Sequence, residues 1–249
     1  MVNILITKNL KKYFGDIHAV DEVNITIKEG EFDAIVGPNG AGKTTLINLL
    51  SGMIKPDDGK VFFYERDITG MPPHLLAKIG LARSFQLVQI FENLTVLDAI
   101  RSAILSRTGK LKRIFSLLEK DVDVKNEALN ILEHMGLLEK SHLLVRELAH
   151  GERKLLDVAI SLALKPKLLL LDEPTSGVSI YEKDKIISIL KSFVTKNEIT
   201  TILVEHDMDI VTSYAERVLV MYEGKIVADG NPNIVLANSE VRKILFGGA

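Results

Sequence analysis

The chain has 249 residues, 47% of them apolar and 26% charged, with a formal net charge of −2 at pH 7. That length supports one large domain with a substantial core, and the near balance of charge gives no general attraction to nucleic acid or anionic lipid. Without a single cysteine, disulfides and thiolate metal sites are excluded.

The N-terminal run MVNILITKNLKKYFG turns basic after its apolar part, the reverse of a signal peptide. In the first third, residues 4–6, 25–27, 32–36 and 60–64 are β-rich runs. Glu29-Gly30 and Asp57-Asp58-Gly59 supply turn chemistry between them. Asp33 is the anomaly, an acid inside a buried-type strand that must face solvent or a basic partner.

Gly37-Pro38-Asn39-Gly40-Ala41-Gly42-Lys43-Thr44-Thr45 fits G-x-x-x-x-G-K-[ST]. It follows the strand at 32–36 and precedes a helical run with Leu46, Leu49, Leu50 and Met53. Glycines let the backbone curl until its N–H groups point at phosphate oxygens, and the start of the next helix adds positive dipole. Lys43 then reaches the β- and γ-phosphates, and the Thr44 hydroxyl ligates Mg²⁺. A nucleotide triphosphate is the expected ligand.

The middle third is helical. Ala128, Ile131, Leu132 and Met135 fall on one face, with Gly136 as the stop. Leu156, Ala159, Ile160 and Ala163 repeat that spacing until Pro166. The most apolar stretch, residues 155–171, is broken by Asp157, Lys165, Pro166 and Lys167, so no bilayer span is expected and any role at a membrane comes through a partner.

In the last third, residues 168–171 form a continuous apolar run, as in a strand covered on both faces, and end in Asp172-Glu173. The end of a parallel strand is where open α/β sheets bind ligands. Asp172 is placed to hold Mg²⁺, directly or through water, and Glu173 to orient or deprotonate attacking water. A helix around Ile186, Ile187, Leu190 and Phe193 follows, then a buried-type strand at 200–204 whose end carries His206, at the same rim as the phosphate loop. Residues 217–222 and 225–229 flank Glu223-Gly224, a hairpin signal. The alternation of strands and helices implies an α/β fold with a mostly parallel central sheet.

Together these pieces resemble the ABC ATPase family along nearly the whole chain. The resemblance implies a P-loop NTPase fold with an N-terminal antiparallel β subdomain and a helical subdomain. It implies one domain over 1–249, with 1–86 and 162–249 as nucleotide-binding core and 87–161 as the helical part. Lys11-Lys12-Tyr13-Phe14-Gly15 is similar to the family's adenine-stacking aromatic loop, with Phe14 the better match and Tyr13 the runner-up. Gln86, in Arg83-Ser84-Phe85-Gln86, resembles the glutamine loop that touches Mg²⁺ and joins the site to the helical subdomain.

Leu148-Ala149-His150-Gly151-Glu152 stands where the family has L-S-G-G-Q, the loop that closes over the nucleotide of an opposing subunit. Ala149 replaces a serine that would bond phosphate, a charge-assisted hydrogen bond worth about 1.5–3 kcal/mol. Gly151 keeps its N–H, and Glu152 stands at the glutamine position. Ser179 stands where Asp or Asn is usual.

Residues 67–74, 80–86, 91–97 and 204–209 resemble the ATP subunits of branched-chain amino acid importers. The implied cofactors are ATP and Mg²⁺. The implied partners are integral membrane permease subunits and, in an ATP-sandwich dimer, a second copy or a sister ATPase. The implied location is the cytoplasmic face of the membrane, with residues 86–107 docking the permease. A soluble ABC ATPase without transport, or a degenerate subunit that hydrolyses little ATP, are the alternatives.

Overall fold

A computed structural model describes residues 2–84, 92–109 and 121–247. Gln86 and Phe91 lie outside the described residues.

Two sheets enclose the phosphate-loop helix. The first is antiparallel: β1 (Asn3–Phe14) pairs with β2 (Ile17–Val23), with β3 (Thr26–Lys28) and with β5 (Asp58–Phe63), which in turn pairs with β6 (Arg66–Asp67). The second contains β4 (Phe32–Val36), β7 (Leu81–Arg83), β8 (Leu168–Asp172), β9 (Thr200–Val204), β10 (Arg217–Tyr222) and β11 (Lys225–Gly230) in the order β11-β10-β4-β9-β8-β7. Its pairings are parallel except for the β10–β11 hairpin. The mostly parallel sheet and the N-terminal antiparallel sheet are those the sequence implies.

Alternation along the central strands sorts the core into layers, because successive side chains point to opposite faces. Ile35, Leu168, Leu170, Ile202, Val204, Leu219 and Met221 face the antiparallel sheet, where they enclose Leu46, Ile47, Leu49 and Leu50 of α1 (Lys43–Leu50). On the opposite face, Leu169, Leu171 and Leu203 meet the helices α3 (Val96–Arg107), α4 (Val122–His134), α5 (His150–Ala163) and α6 (Ile180–Lys196). Between β7 and the first sheet lies α2 (Pro73–Ile79). Ala34, Val36, Val218 and Val220 are covered by α7 (Met208–Tyr214), α8 (Pro232–Val235) and α9 (Ser239–Phe246). This double coverage is why residues 168–171 of β8 read as an unbroken apolar run, and why β4 and β9 are buried throughout although they carry Asp33, Thr200 and Thr201.

Several expectations shift. Asp58 and Gly59 lie within β5, not in a turn before it. Gly59 has φ 85° at an irregularity in the β1–β5 register, and a Cβ there would meet the Asn9 backbone. The helix after the phosphate loop ends at Leu50, leaving Met53 outside it and half exposed. Gly52, with φ 69°, turns the chain so close to the Met71 carbonyl that no side chain would fit. The first strand runs far past Ile6, through the charged residues Lys8, Lys11 and Lys12. Asp33 does not face solvent: it is fully buried, 3.7 Å from Arg217 Nη1, and has no hydrogen-bond partner among the described residues.

Candidate functional site

The C-terminal rim of the parallel sheet gathers the chemistry. β4 runs into the loop 37–42, and α1 leaves it at Lys43. Gly40 and Gly42 take left-handed backbone, with φ 79° and 103°. Gly42 also presses against the Ala19 carbonyl, where a Cβ would come within 2.0 Å. The helix begins without a side-chain cap or an acid in its first turn, so its free N–H groups are available to an anion.

Lys43 is buried, with Nζ donating to the Gly37 carbonyl at 2.8 Å and to the Pro38 carbonyl at 2.9 Å. Burial lowers its pKa, opposed by the carboxylates of Glu173 and Asp172. An arriving polyphosphate would supply the anionic partner that this desolvated ammonium lacks. Asn39 to Thr45 line one open pocket with Phe14, Ile17, Ala19, Glu173 and His206.

Phe14 ends β1 and is half exposed beside the still more exposed Ile17. Tyr13 is occupied elsewhere: its ring stacks on His18 at 4.1 Å and its hydroxyl donates to Asp21 at 2.7 Å. Of the two aromatics, Phe14 is the one in the pocket. Ile17 and Ala19 gave no sequence signal, being ordinary apolar residues on a strand that the pattern did not predict.

Glu173 follows β8 with φ 50°, in the left-handed region that a non-glycine residue rarely adopts. Its N–H donates to the Val204 carbonyl at 3.0 Å, and its Oε1 lies 2.6 Å from His206 Nε2. The two loops are stapled beneath: the Thr175 hydroxyl donates to the buried Glu205 carboxylate, whose other oxygen accepts from the His206 N–H at 3.0 Å. Thr175 and Glu205 flank the signal residues but carry no motif of their own, so sequence reasoning missed them.

Asp172 pairs with Arg83, whose Nη2 donates to Oδ2 at 2.9 Å. Arg83 also reaches Asn48 on α1 and Ser51 just past its end, tying the acidic strand to the phosphate-loop helix. Burial raises the Asp172 pKa and Arg83 opposes it. With Oδ2 committed, Oδ1 remains as the carboxylate oxygen for a metal. Among the described residues no group of three His, Cys, Asp or Glu could enclose a metal. A lone carboxylate oxygen and the Thr44 hydroxyl suit Mg²⁺, which keeps waters and takes phosphate oxygens instead of an all-protein cage.

Ala149, Gly151 and Glu152 do not line this pocket. They form the start of α5, where Glu152 accepts from the Ala149 N–H at 3.0 Å and from Lys140. Gly151 is buried, while Ala149 and His150 are exposed. Ser179 caps α6: its N–H and hydroxyl both donate to the Glu182 carboxylate, at 3.1 and 2.8 Å. Next to it, Ile180 and Tyr181 are 79% and 90% exposed.

Comparison with known proteins agrees with the fold. A family profile described as ABC transporter matches residues 20–176. A probable branched-chain amino acid transport ATP-binding protein LivG from Archaeoglobus fulgidus is 36% identical over 253 residues, covering 99% of this chain and 96% of that one. The high-affinity branched-chain amino acid transport ATP-binding protein LivG of Escherichia coli strain K12 is 32% identical over 254 residues, covering 99% and 98%. A solved ATP-binding cassette of an ABC transporter in its ADP conformation is 33% identical, with a TM-score of 0.88 over the whole of both chains. A dimeric cassette in a post-hydrolysis state, bound to ADP and Pi, is 26% identical, with a TM-score of 0.77 over 92% of this chain and 99% of that one.

Proposed function

This chain belongs to the ABC transporter family of ATP-binding proteins, and from that premise we propose that it hydrolyses ATP to drive uptake of branched-chain or related amino acids through membrane permease subunits. The observation that carries the reading is the convergence of the phosphate loop, Phe14, Glu173 and His206 on one pocket. Support for the cargo comes from relatives named as branched-chain amino acid transport proteins over nearly their full length. Those matches lend no support to a soluble ABC ATPase or a degenerate subunit.

In this reading Phe14 stacks on the adenine. The N–H groups of residues 39–45 and the Lys43 ammonium hold the phosphates, with Gly37 and Pro38 shaping the loop, and Thr44 and Asp172 hold Mg²⁺, with Gln86 as a further ligand. Mg²⁺, when bound, neutralises charge on the β- and γ-phosphate oxygens. Glu173 takes the proton of the attacking water. His206, hydrogen-bonded to Glu173, keeps that carboxylate aimed and reaches the γ-phosphate.

The start of α5, with Ala149, Gly151 and Glu152, lies off the pocket of its own chain and serves the nucleotide of an opposing subunit. That subunit is a second copy or a sister ATPase, in a head-to-tail sandwich whose closure drives transport. No helix among the described residues is long and apolar enough to cross a membrane. In this reading, attachment to the inner face of the membrane runs through the permease, which docks on residues 86–107, from the end of the core into the helical subdomain at 87–161. The test is reconstitution with the cognate membrane subunits in vesicles. ATP-dependent uptake of labelled leucine supports the reading; ATP hydrolysis with no amino acid uptake overturns the cargo.

A further inference from the structure

The family position that usually holds glycine is His150 here, and its side chain is engaged. Nε2 lies 3.2 Å from the carbonyl of Ser176. A carbonyl only accepts, so Nε2 carries the proton. One turn further along α5, Lys154 Nζ donates to the Ser176 hydroxyl at 2.9 Å. The ring lies over Gly177, where a Cβ would come within 3.0 Å of Nε2 and where φ is 78°. Two side chains of α5 thus grip one residue of the loop leaving β8.

That residue closes the turn that begins at Glu173. The Ser176 N–H donates to the Glu173 carbonyl at 3.1 Å, and Glu173 itself is held at φ 50°. A continuous path of contacts runs from α5 through Ser176 to Glu173 and on to His206. The far side of the turn is already fixed by Thr175 on Glu205. Without the α5 grip, Ser176 has no side-chain hydrogen bond from another element among the described residues, and Val178 alone packs against the core beyond it.

We propose that His150, with Lys154, is a positioning residue that latches the turn carrying Glu173. Through it, the helix whose start faces the opposing nucleotide sets the geometry of this chain's own hydrolytic carboxylate. The departure at position 150 is then a functional substitution and not a mark of degeneracy. The inference rests on the assignment of Glu173 to hydrolysis.

The test compares His150→Ala, His150→Gln and Lys154→Met with the wild type, whose Gln variant keeps a terminal N–H donor. Hydrogen exchange of the amides in residues 173–179 is read alongside kcat and KM for ATP. Losing the latch should speed exchange in that segment by at least about threefold in His150→Ala, with α4 unchanged. It should lower kcat by about three- to tenfold with KM within about twofold, as expected for one hydrogen bond acting through geometry. His150→Gln should keep exchange near wild type and recover most of kcat. Exchange and kcat both unchanged in His150→Ala and in the double variant with Lys154→Met would overturn the latch. A wild type that releases no phosphate, with exchange still faster in His150→Ala, would instead overturn the hydrolytic assignment and leave the latch standing.

Discussion

The phosphate loop was legible residue by residue because its chemistry is local: a strand, a curl that only glycine permits, and a lysine at the first helical position. For the aromatic pair, the family resemblance favoured Phe14, but the residues themselves did not decide. Tyr13 and Phe14 are neighbours on a strand, so they point to opposite sides, and only tertiary partners decide which one meets the ligand. Tyr13 is claimed by His18 and Asp21, while Phe14 projects into the pocket. Phe14→Ala should therefore weaken ATP binding by about tenfold, in line with loss of a base-stacking partner. Tyr13→Phe should leave the Kd unchanged. A fluorescent ATP analogue titrated into each variant checks this, and the reverse order would return the adenine to Tyr13. Arg83, Thr175 and Glu205 escaped the sequence reading for a related reason: each acts by holding a motif residue from another element, and nothing in one-dimensional spacing records that.

At the scale of elements, the buried strands read well because coverage on both faces leaves a plain apolar signature. β1 read poorly, since its second half is only partly buried and carries lysines that mask the strand. Asp33 puts a carboxyl inside the parallel sheet, an element-level cost. It lies in the central strand β4 near Arg217, which is shared with Asp229 and the Thr26 carbonyl. Burial, reinforced by Glu31, pushes the Asp33 pKa up to about 7, against the pull of Arg217. The folded pKa lies above the unfolded one. Below about pH 4 both states hold the proton and no stability is lost. Between about pH 4 and 7 the unfolded chain ionises while the folded one does not, so stability falls as pH rises and levels off above 7. The gap from 3.8 to about 7 corresponds to at most about 4 kcal/mol. Asp33→Asn should remove that slope and gain stability at pH 8, measured by urea unfolding across this range. Parallel curves for the two proteins would contradict the burial argument.

For the molecule as a whole, strand-helix alternation implied the parallel sheet and its rim, because strand ends determine where ligands of parallel sheets sit, while the antiparallel sheet was implied by the family resemblance. What it left open was the junction between the site and the helices, since packing there depends on contacts far apart in the chain. α3, α4 and α5 share one apolar core with the underside of the parallel sheet, so a displacement of the helices is felt at Leu169 and Leu171, next to Asp172. Glu92 is exposed at the entrance to α3, in the stretch assigned to the permease. Glu92→Ala should leave ATP binding and basal hydrolysis intact while uptake by the reconstituted complex drops severalfold. Loss of ATP binding in that variant would move residue 92 out of the docking surface.

Hydrolysis of ATP with Glu173 as the base, despite Ala149, His150 and Ser179, is the step on which the proposed function stands. Phosphate release from Mg-ATP by the purified protein, measured beside Glu173→Gln, tests it most directly. Turnover is expected in the wild type, with its loss in the variant and a dimer that ATP traps in the variant alone. Equal phosphate release by both proteins would contradict it.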